Sequence, residues 1–398
     1  MPWLLGVALI HALIVVEKQE IMKLWAVALS ILTFTFCIFG SFLVRSGMIS
    51  SVHSFAYDPS RGIFIFLLVL IVLGIGTILI LKKKHLLISH RRIHIFSRGG
   101  ILLIQNILFL LLAFVILMGT ILPLVYEIIF GSQISVGVGY YNKVTIPFLG
   151  LVLLTMVSTP FLPWKQGDFK MGFRFLRTPF IISLISFILL LLYFKISLNL
   201  FSLILFLGLN VLFGLIKAMG HTRFPFISFS SMGLAHGGIA IMVFGIFIDS
   251  FAQKEIITSL KEGESISFLN YTLKLSQVMY SQDKIYLLER ANLDISKNGK
   301  KITTMHPEKR IYLSDNTLTN ETALFHDYFS DVYVVLGPQS SNEKWSLKLT
   351  YHPQVLWIWI GGLFVFLGGL SGFTRNRNQR VSEKSLISTH PLFVTECG

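Results

Sequence analysis

Nine stretches of nearly unbroken apolar residues divide the chain, at roughly 1–16, 24–44, 62–81, 100–126, 144–164, 179–195, 197–216, 230–251 and 354–374. Each approaches the about 20 residues a helix needs to cross the hydrocarbon of a bilayer. The pattern predicts an all-α polytopic membrane protein with about nine transmembrane helices. The first run is short, lacks the charged leader of a signal peptide and ends at Glu17 where a small-residue cleavage site would be expected, so it reads as a span.

The rhythm changes between the eighth and ninth runs. Alternation at Tyr271, Leu273 and Leu275, then at Ile285 and Leu287, with Asn298-Gly299 as a hairpin signal, predicts a small antiparallel β domain inserted among the helices. The expected organisation is a helical region at 1–252, a β domain at 253–353, a last span at 354–374 and a basic tail at 375–398. No internal repeat is evident.

Composition agrees with the pattern: 54% of 398 residues are apolar, 14% are charged, and mean hydropathy is +0.71. The net charge of +14 does not point to nucleic acid, because the lysines and arginines sit in short clusters between apolar runs. Lys82, Lys83, Lys84, Arg91, Arg92 and Arg98 lie between the third and fourth runs. Lys165, Lys170, Arg174 and Arg177 follow the fifth, and Arg375, Arg377 and Arg380 follow the ninth. Alternating spans put all three clusters on one face, the cytoplasmic or matrix side. The segments from Arg45 to Arg61, from Glu127 to Lys143 and from Gln253 to Tyr351 then face outward. That last segment balances 12 acidic against 12 basic residues. Cys37 and Cys397 are the two cysteines, too few and too far apart for a disulfide framework or a CxxC redox pair.

Candidate chemistry is sparse within the apolar runs. No Asp, Glu, Lys or Arg lies deep in any of them, and only His11 and His236 of eleven histidines are embedded in apolar sequence. Both lie at comparable depth on different helices. Two neutral imidazoles can complete the coordination of a haem iron. Gly6, Ala8 and Ala12, with Gly233, Ala235, Gly237 and Gly238, would leave room for a flat macrocycle. The alternative is that these small residues serve close helix packing and each histidine bonds a neighbouring helix. His53 sits in an outward loop with Phe55, Tyr57, Arg45 and Arg61. That loop reads either as solvated or as a second haem site whose arginines meet propionates. His85, His90, His94, His221, His306, His326, His352 and His390 show no metal-ligand spacing. No GxGxxG, P-loop, GxSxG or HExxH motif occurs. A transporter or a quinone-linked cytochrome b would share the polytopic pattern. The first usually places ionisable residues at mid-membrane, and the second lacks a large outer β domain.

Several segments together resemble CcmF, the haem lyase subunit of cytochrome c maturation. They are Met1-Pro-Trp-Leu-Leu-Gly-Val-Ala-Leu-Ile-His11, Gly40-Ser-Phe-Leu-Val-Arg45-Ser-Gly, Ser51-Val-His53-Ser-Phe-Ala with Asp58-Pro59 and Arg61-Gly62, and Ser97-Arg-Gly-Gly. Gly119-Thr-Ile-Leu-Pro123, Ile134-Ser-Val-Gly137, Leu234-Ala-His236, His306-Pro-Glu-Lys-Arg310 and Trp357-Ile-Trp359-Ile-Gly-Gly follow in the family's order. The resemblance covers essentially the whole chain. It implies a resident haem b ligated by His11 and His236 as an electron relay, and a substrate haem with His53 as an axial ligand. The implied partners are the haem chaperone CcmE, CcmH- and CcmI-type subunits that present apocytochrome c, and surrounding membrane lipid; no nucleic acid is expected. The implied location is a bacterial or mitochondrial inner membrane, and the implied activity is covalent attachment of haem to CxxCH thiols. The family also carries a Trp-rich outer segment, and an outer histidine, ahead of the Met-Pro-Trp at which this sequence starts. The expectation is a split or truncated subunit that needs an N-terminal CcmF polypeptide.

Overall fold

A computed structural model describes residues 1–46, 59–89, 91–132, 134–164, 169–221, 226–313, 316–340 and 342–389. Among these, nine helices are long and apolar enough to cross a membrane. They are α1 (Pro2–Gln19), α2 (Lys23–Arg45), α3 (Pro59–Leu87), α4 (Arg98–Phe130), α5 (Val138–Ser158), α6 (Phe169–Phe194), α7 (Leu200–His221), α8 (Phe226–Ala252) and α9 (Leu356–Thr389). The protein is a multi-pass membrane protein. The chain divides into two compact units, Met1–Gly237 with Gly368–Gly398, and Gly238–Leu367.

In the first unit, α1 turns into α2 through Glu20 and Met22, both in the left-handed region (φ 59° and 64°). The two helices share an apolar core with α4, built on Leu5, Ala8, Ala12, Val15, Leu29, Leu112 and Ala113. Large apolar side chains such as Ile71, Leu79 and Phe114 point outward, as lipid-facing positions should. Ser97 caps α4, accepting a hydrogen bond from the Gly100 amide at 3.2 Å. Arg98 then ties that helix start to the segment after α5: Nε donates to Leu162 O (3.1 Å), Nη2 to Pro160 O (2.9 Å), and the guanidinium lies 5.1 Å over the Trp164 ring. Asn106 is fully buried, bonding Leu102 O at 2.8 Å and accepting from Trp25 Nε1 at 3.3 Å.

Among its described residues the second unit holds ten strands between Lys254 and Pro353: β1 (Lys254–Leu260), β2 (Ser265–Phe268), β3 (Tyr271–Gln282), β4 (Tyr286–Lys297), β5 (Lys300–Met305), β6 (Glu308–Tyr312), β7 (Leu318–Glu321), β8 (Ala323–Asp327), β9 (Ser330–Gln339) and β10 (Trp345–Pro353). They form a four-stranded sheet, β1-β10-β9-β8, and a six-stranded one, β2-β3-β4-β6-β7 with β5 on β4. All pairings are antiparallel. Leu273, Leu275, Leu293 and Ile295 of one sheet meet Val332, Val334, Leu347 and Leu349 of the other in an apolar core. Tyr271, Leu273 and Leu275 point inward as their alternation predicts, and Asn298-Gly299 makes the β4–β5 turn with both φ positive. Ile285 and Leu287 keep the inward phase of Ala291 and Leu293, yet Ile285 is 60% exposed and lies outside β4. They occupy the overhanging loop end of the β3–β4 hairpin, which the core does not reach.

Candidate functional site

His11 stands on α1 and His236 on α8, both within the first unit. Their ring centroids are 6.3 Å apart with planes inclined by 22°, and the Phe109 ring of α4 lies 6.4 Å from His11. The structure therefore brings together the two histidines singled out from the apolar runs, which lie 225 residues apart in sequence.

The two imidazoles are held differently. His11 Nδ1 lies 2.8 Å from Val7 O, one turn back on the same helix, so its N–H is engaged and the Nε2 lone pair is left for a ligand. His236 Nδ1 is buried with no hydrogen-bond partner. An unpaired polar atom in an apolar interior is costly. Two imidazoles bonded through nitrogen at about 2 Å to one metal atom put their ring centres about 6 Å apart. No cluster of three or more His, Cys, Asp or Glu occurs among the described residues. Two imidazoles are too few for a four-coordinate zinc site, but they match an iron that brings four porphyrin nitrogens of its own. The residues present fit a haem.

The small neighbours divide between the two readings offered by the sequence. Ala8 and Ala12 are fully buried in the α1–α2–α4 core and serve packing. A Cβ on Gly238 would meet Gly361 O at 2.5 Å and Val365 N at 2.8 Å, a backbone-to-backbone approach that also serves packing. Gly6 and Gly237 have room, their nearest foreign atoms 3.9 Å from an added Cβ.

His53 lies outside the described residues, as do Phe55 and Tyr57. Their segment is bracketed by Arg45, exposed at the end of α2, and Arg61, in the first turn of α3. The helix ends meet closely, since a Cβ on Gly62 would lie 3.1 Å from Ser46 Cα.

Three of the histidines without metal-ligand spacing in the sequence have partners within the second unit. His352 Nδ1 lies 3.0 Å from Asp249 Oδ2, His326 Nδ1 lies 2.5 Å from Asp331 Oδ1, and His306 Nδ1 lies 2.8 Å from Asn292 Oδ1. The His352–Asp249 pair spans 103 residues, and no local pattern announces it. In the motif His306-Pro-Glu-Lys-Arg310, Glu308 is clamped by Arg290 (2.5 Å) and Arg310 (2.6 Å). Burial pushes its carboxyl up, but hydrogen bonds from the two arginines outweigh this and hold it below the usual range.

Residues 251–353 match the family described as "CcmF C-terminal beta-sandwich". The cytochrome c-type biogenesis protein CcmF of Haemophilus influenzae is 34% identical over 388 residues, covering 93% of this chain and 59% of the relative. That of Pseudomonas fluorescens is 31% identical over 398 residues, covering 97% and 60%, and that of Escherichia coli is 32% identical over 375 residues, covering 93% and 58%. A solved structure of "Cytochrome c Heme Lyase CcmF" superposes with a TM-score of 0.68 at 21% identity, over 93% of this chain and 58% of that one, which shows a shared fold. The chain spans about three fifths the length of the curated relatives it matches.

Proposed function

From a chain that is a relative of CcmF over part of that protein's length, we propose a role in cytochrome c biogenesis, in which His11 and His236 hold a resident haem b and the protein takes part in attaching a second, substrate haem to apocytochrome c. The observation that carries the reading is the paired imidazoles, 6.3 Å apart in apolar surroundings, one aimed by a backbone carbonyl and the other with an unspent buried nitrogen. When bound, the resident group supplies a reversible one-electron couple within the bilayer. The chain's own contribution is to fix the ring of His11 through Val7 O and to pack the helix that carries it into the apolar α1–α2–α4 core.

His53 is proposed as an axial ligand of the substrate haem at the outer face, with Arg45 and Arg61 pairing its propionates. In the attachment step each cysteine S–H of a CxxCH motif adds across a vinyl C=C, the sulfur bonding one carbon and the hydrogen the other. No net electrons are consumed, and the thiols must be reduced. CcmE as haem donor and CcmH- or CcmI-type subunits presenting apocytochrome c belong to the same proposal. So do an inner-membrane location and an outward β domain.

The test is a reduced-minus-oxidised spectrum of the purified full chain. A b-type spectrum is expected, lost in His11→Ala and in His236→Ala. Its absence from folded wild-type protein defeats the resident-haem reading. His53→Ala should keep that spectrum while losing the holocytochrome formation that the unsubstituted protein supports in cells lacking their own CcmF. Undiminished maturation would remove the role given to His53.

A further inference from the structure

Two hairpin tips of the second unit carry bulky apolar residues where two-residue turns ordinarily carry Gly, Asn or Asp. Between β8 and β9, Asp327 pairs with Ser330, leaving Tyr328-Phe329 as the loop. Tyr328 is 82% exposed and sits in the left-handed region at φ 44°, and Phe329 is 50% exposed. Between β2 and β3, Phe268 pairs with Tyr271, leaving Leu269-Asn270, with Leu269 exposed at φ 56°. A side chain at positive φ is sterically strained. The β4–β5 turn of the same unit, Asn298-Gly299, uses the ordinary residues. The tyrosine and leucine are thus poor choices for turning the chain, and both are poor choices for water.

Register fixes where these tips lie. β10 pairs Pro353 with Ser330 and His352 with Asp331, and the transmembrane helix α9 begins at Leu356, three residues after Pro353. On the other side of β10, Tyr351 pairs with Lys254, which follows the end of α8 at Ala252. His352 Nδ1 is held 3.0 Å from Asp249 Oδ2 in the last turn of α8. The end of the four-stranded sheet is thereby tied to the ends of both helices. Strands are spaced at about 4.8 Å, so the β8–β9 tip lies about 5–10 Å to the side of β10, level with the start of a span. The Leu269-Asn270 tip lines the same cavity of about 450 Å³ as Tyr328, Phe329 and Tyr351. Behind the tips, Lys297 Nζ and Tyr271 Oη converge on Asp327 Oδ2 at 2.7 and 2.5 Å. The first turn of α9 carries Trp357 and Trp359, as membrane–water interfaces favour.

We propose that the Tyr328-Phe329 and Leu269-Asn270 tips sit in the lipid headgroup region of the bilayer that α8 and α9 cross, and hold that end of the β sandwich on the membrane surface. Amphipathic tyrosine with its hydroxyl toward water and phenylalanine toward the acyl boundary is the chemistry of such a belt. The Lys297–Asp327–Tyr271 cluster stays above it among the headgroups.

The test uses the full chain in phosphatidylcholine–phosphatidylglycerol nanodiscs, in a Cys37→Ala, Cys397→Ser background. A nitroxide is attached at Phe329→Cys, at Leu269→Cys, or at Asn342→Cys in the β9–β10 loop at the far end of the sheet. Collisions with dissolved oxygen should exceed those with a water-soluble nickel chelate at 329 and 269, and the order should reverse at 342. Nickel-dominated collisions at both tips, matching position 342, overturn the proposal. A second variant, Tyr328→Asn with Phe329→Gly, restores ordinary turn residues and so favours folding. In it the label at 269 should shift toward nickel access, and an unchanged ratio there also overturns the anchoring role of the β8–β9 tip.

Discussion

Asn106 lies about two turns into α4, with its amide bonded to Leu102 O and its carbonyl accepting from Trp25 Nε1 of α2. Asn106→Leu leaves the indole N–H facing an apolar interior, at a cost of about 1–2 kcal/mol. A lower midpoint in detergent-induced unfolding, absent in the Trp25→Phe background, would register that loss. Glu308→Ala leaves Arg290 and Arg310 close together without their shared carboxylate. A cost of about 1–3 kcal/mol is expected in the β unit, discounted because both arginines are partly exposed. Neither partnership is legible in the sequence, because each depends on residues brought together by the fold. His11 and His236 could be picked out because a lone imidazole in an apolar run is conspicuous. That they face one another follows from the packing, which equal depth on two helices does not determine.

At the scale of elements, the apolar runs picked out all nine spans because a bilayer imposes a length, but not the helix ends, since α6 starts at Phe169 and α9 runs on to Thr389, beyond the apolar stretches. The β4 strand was harder to read. Alternation gave the correct phase, but nothing in Ile285 or Leu287 says that the hairpin outruns the opposing sheet. Glycines show a similar division. Gly238→Val must push the backbones of Gly238 and Gly361 apart, whereas Gly6→Ala meets only ordinary contact with Thr33. Purified Gly238→Val is expected to lose thermal stability, by about 2 kcal/mol or more, while Gly6→Ala stays near wild type.

For the whole molecule, the β unit carries the acid sensitivity. Lys301 Nζ and Thr304 Oγ1 each lie 2.6 Å from Asp294 Oδ1, and Ser276 Oγ lies 2.8 Å from Oδ2. Hydrogen bonding from Lys301 leads these effects and pulls the Asp294 carboxyl from 3.8 to about 2. Asp327 is lowered as well, first by its bond from Lys297. A carboxyl depressed on folding stabilises the fold fully above its unfolded value. That contribution fades as pH falls from about 4 toward 2. Circular dichroism of the β signal on acid titration should show the loss in that window, and Asp294→Asn should flatten it. Histidine titration near neutrality would place the transition elsewhere and contradict this assignment.

The strand that brings the chain into the sandwich and the strand that takes it out are neighbours, Lys254 lying opposite Tyr351 on β1 and β10. Their paired backbones are about 5 Å apart, so the hundred-odd residues between them form a closed detour with its two ends side by side. Such a detour behaves as a cassette. It can be exchanged, enlarged or removed without altering the span α8 has to reach to become α9. A version in which a short Gly-Ser linker replaces 254–353 is therefore expected to insert with the same helices. Membrane scaffold and β module can thus be varied independently.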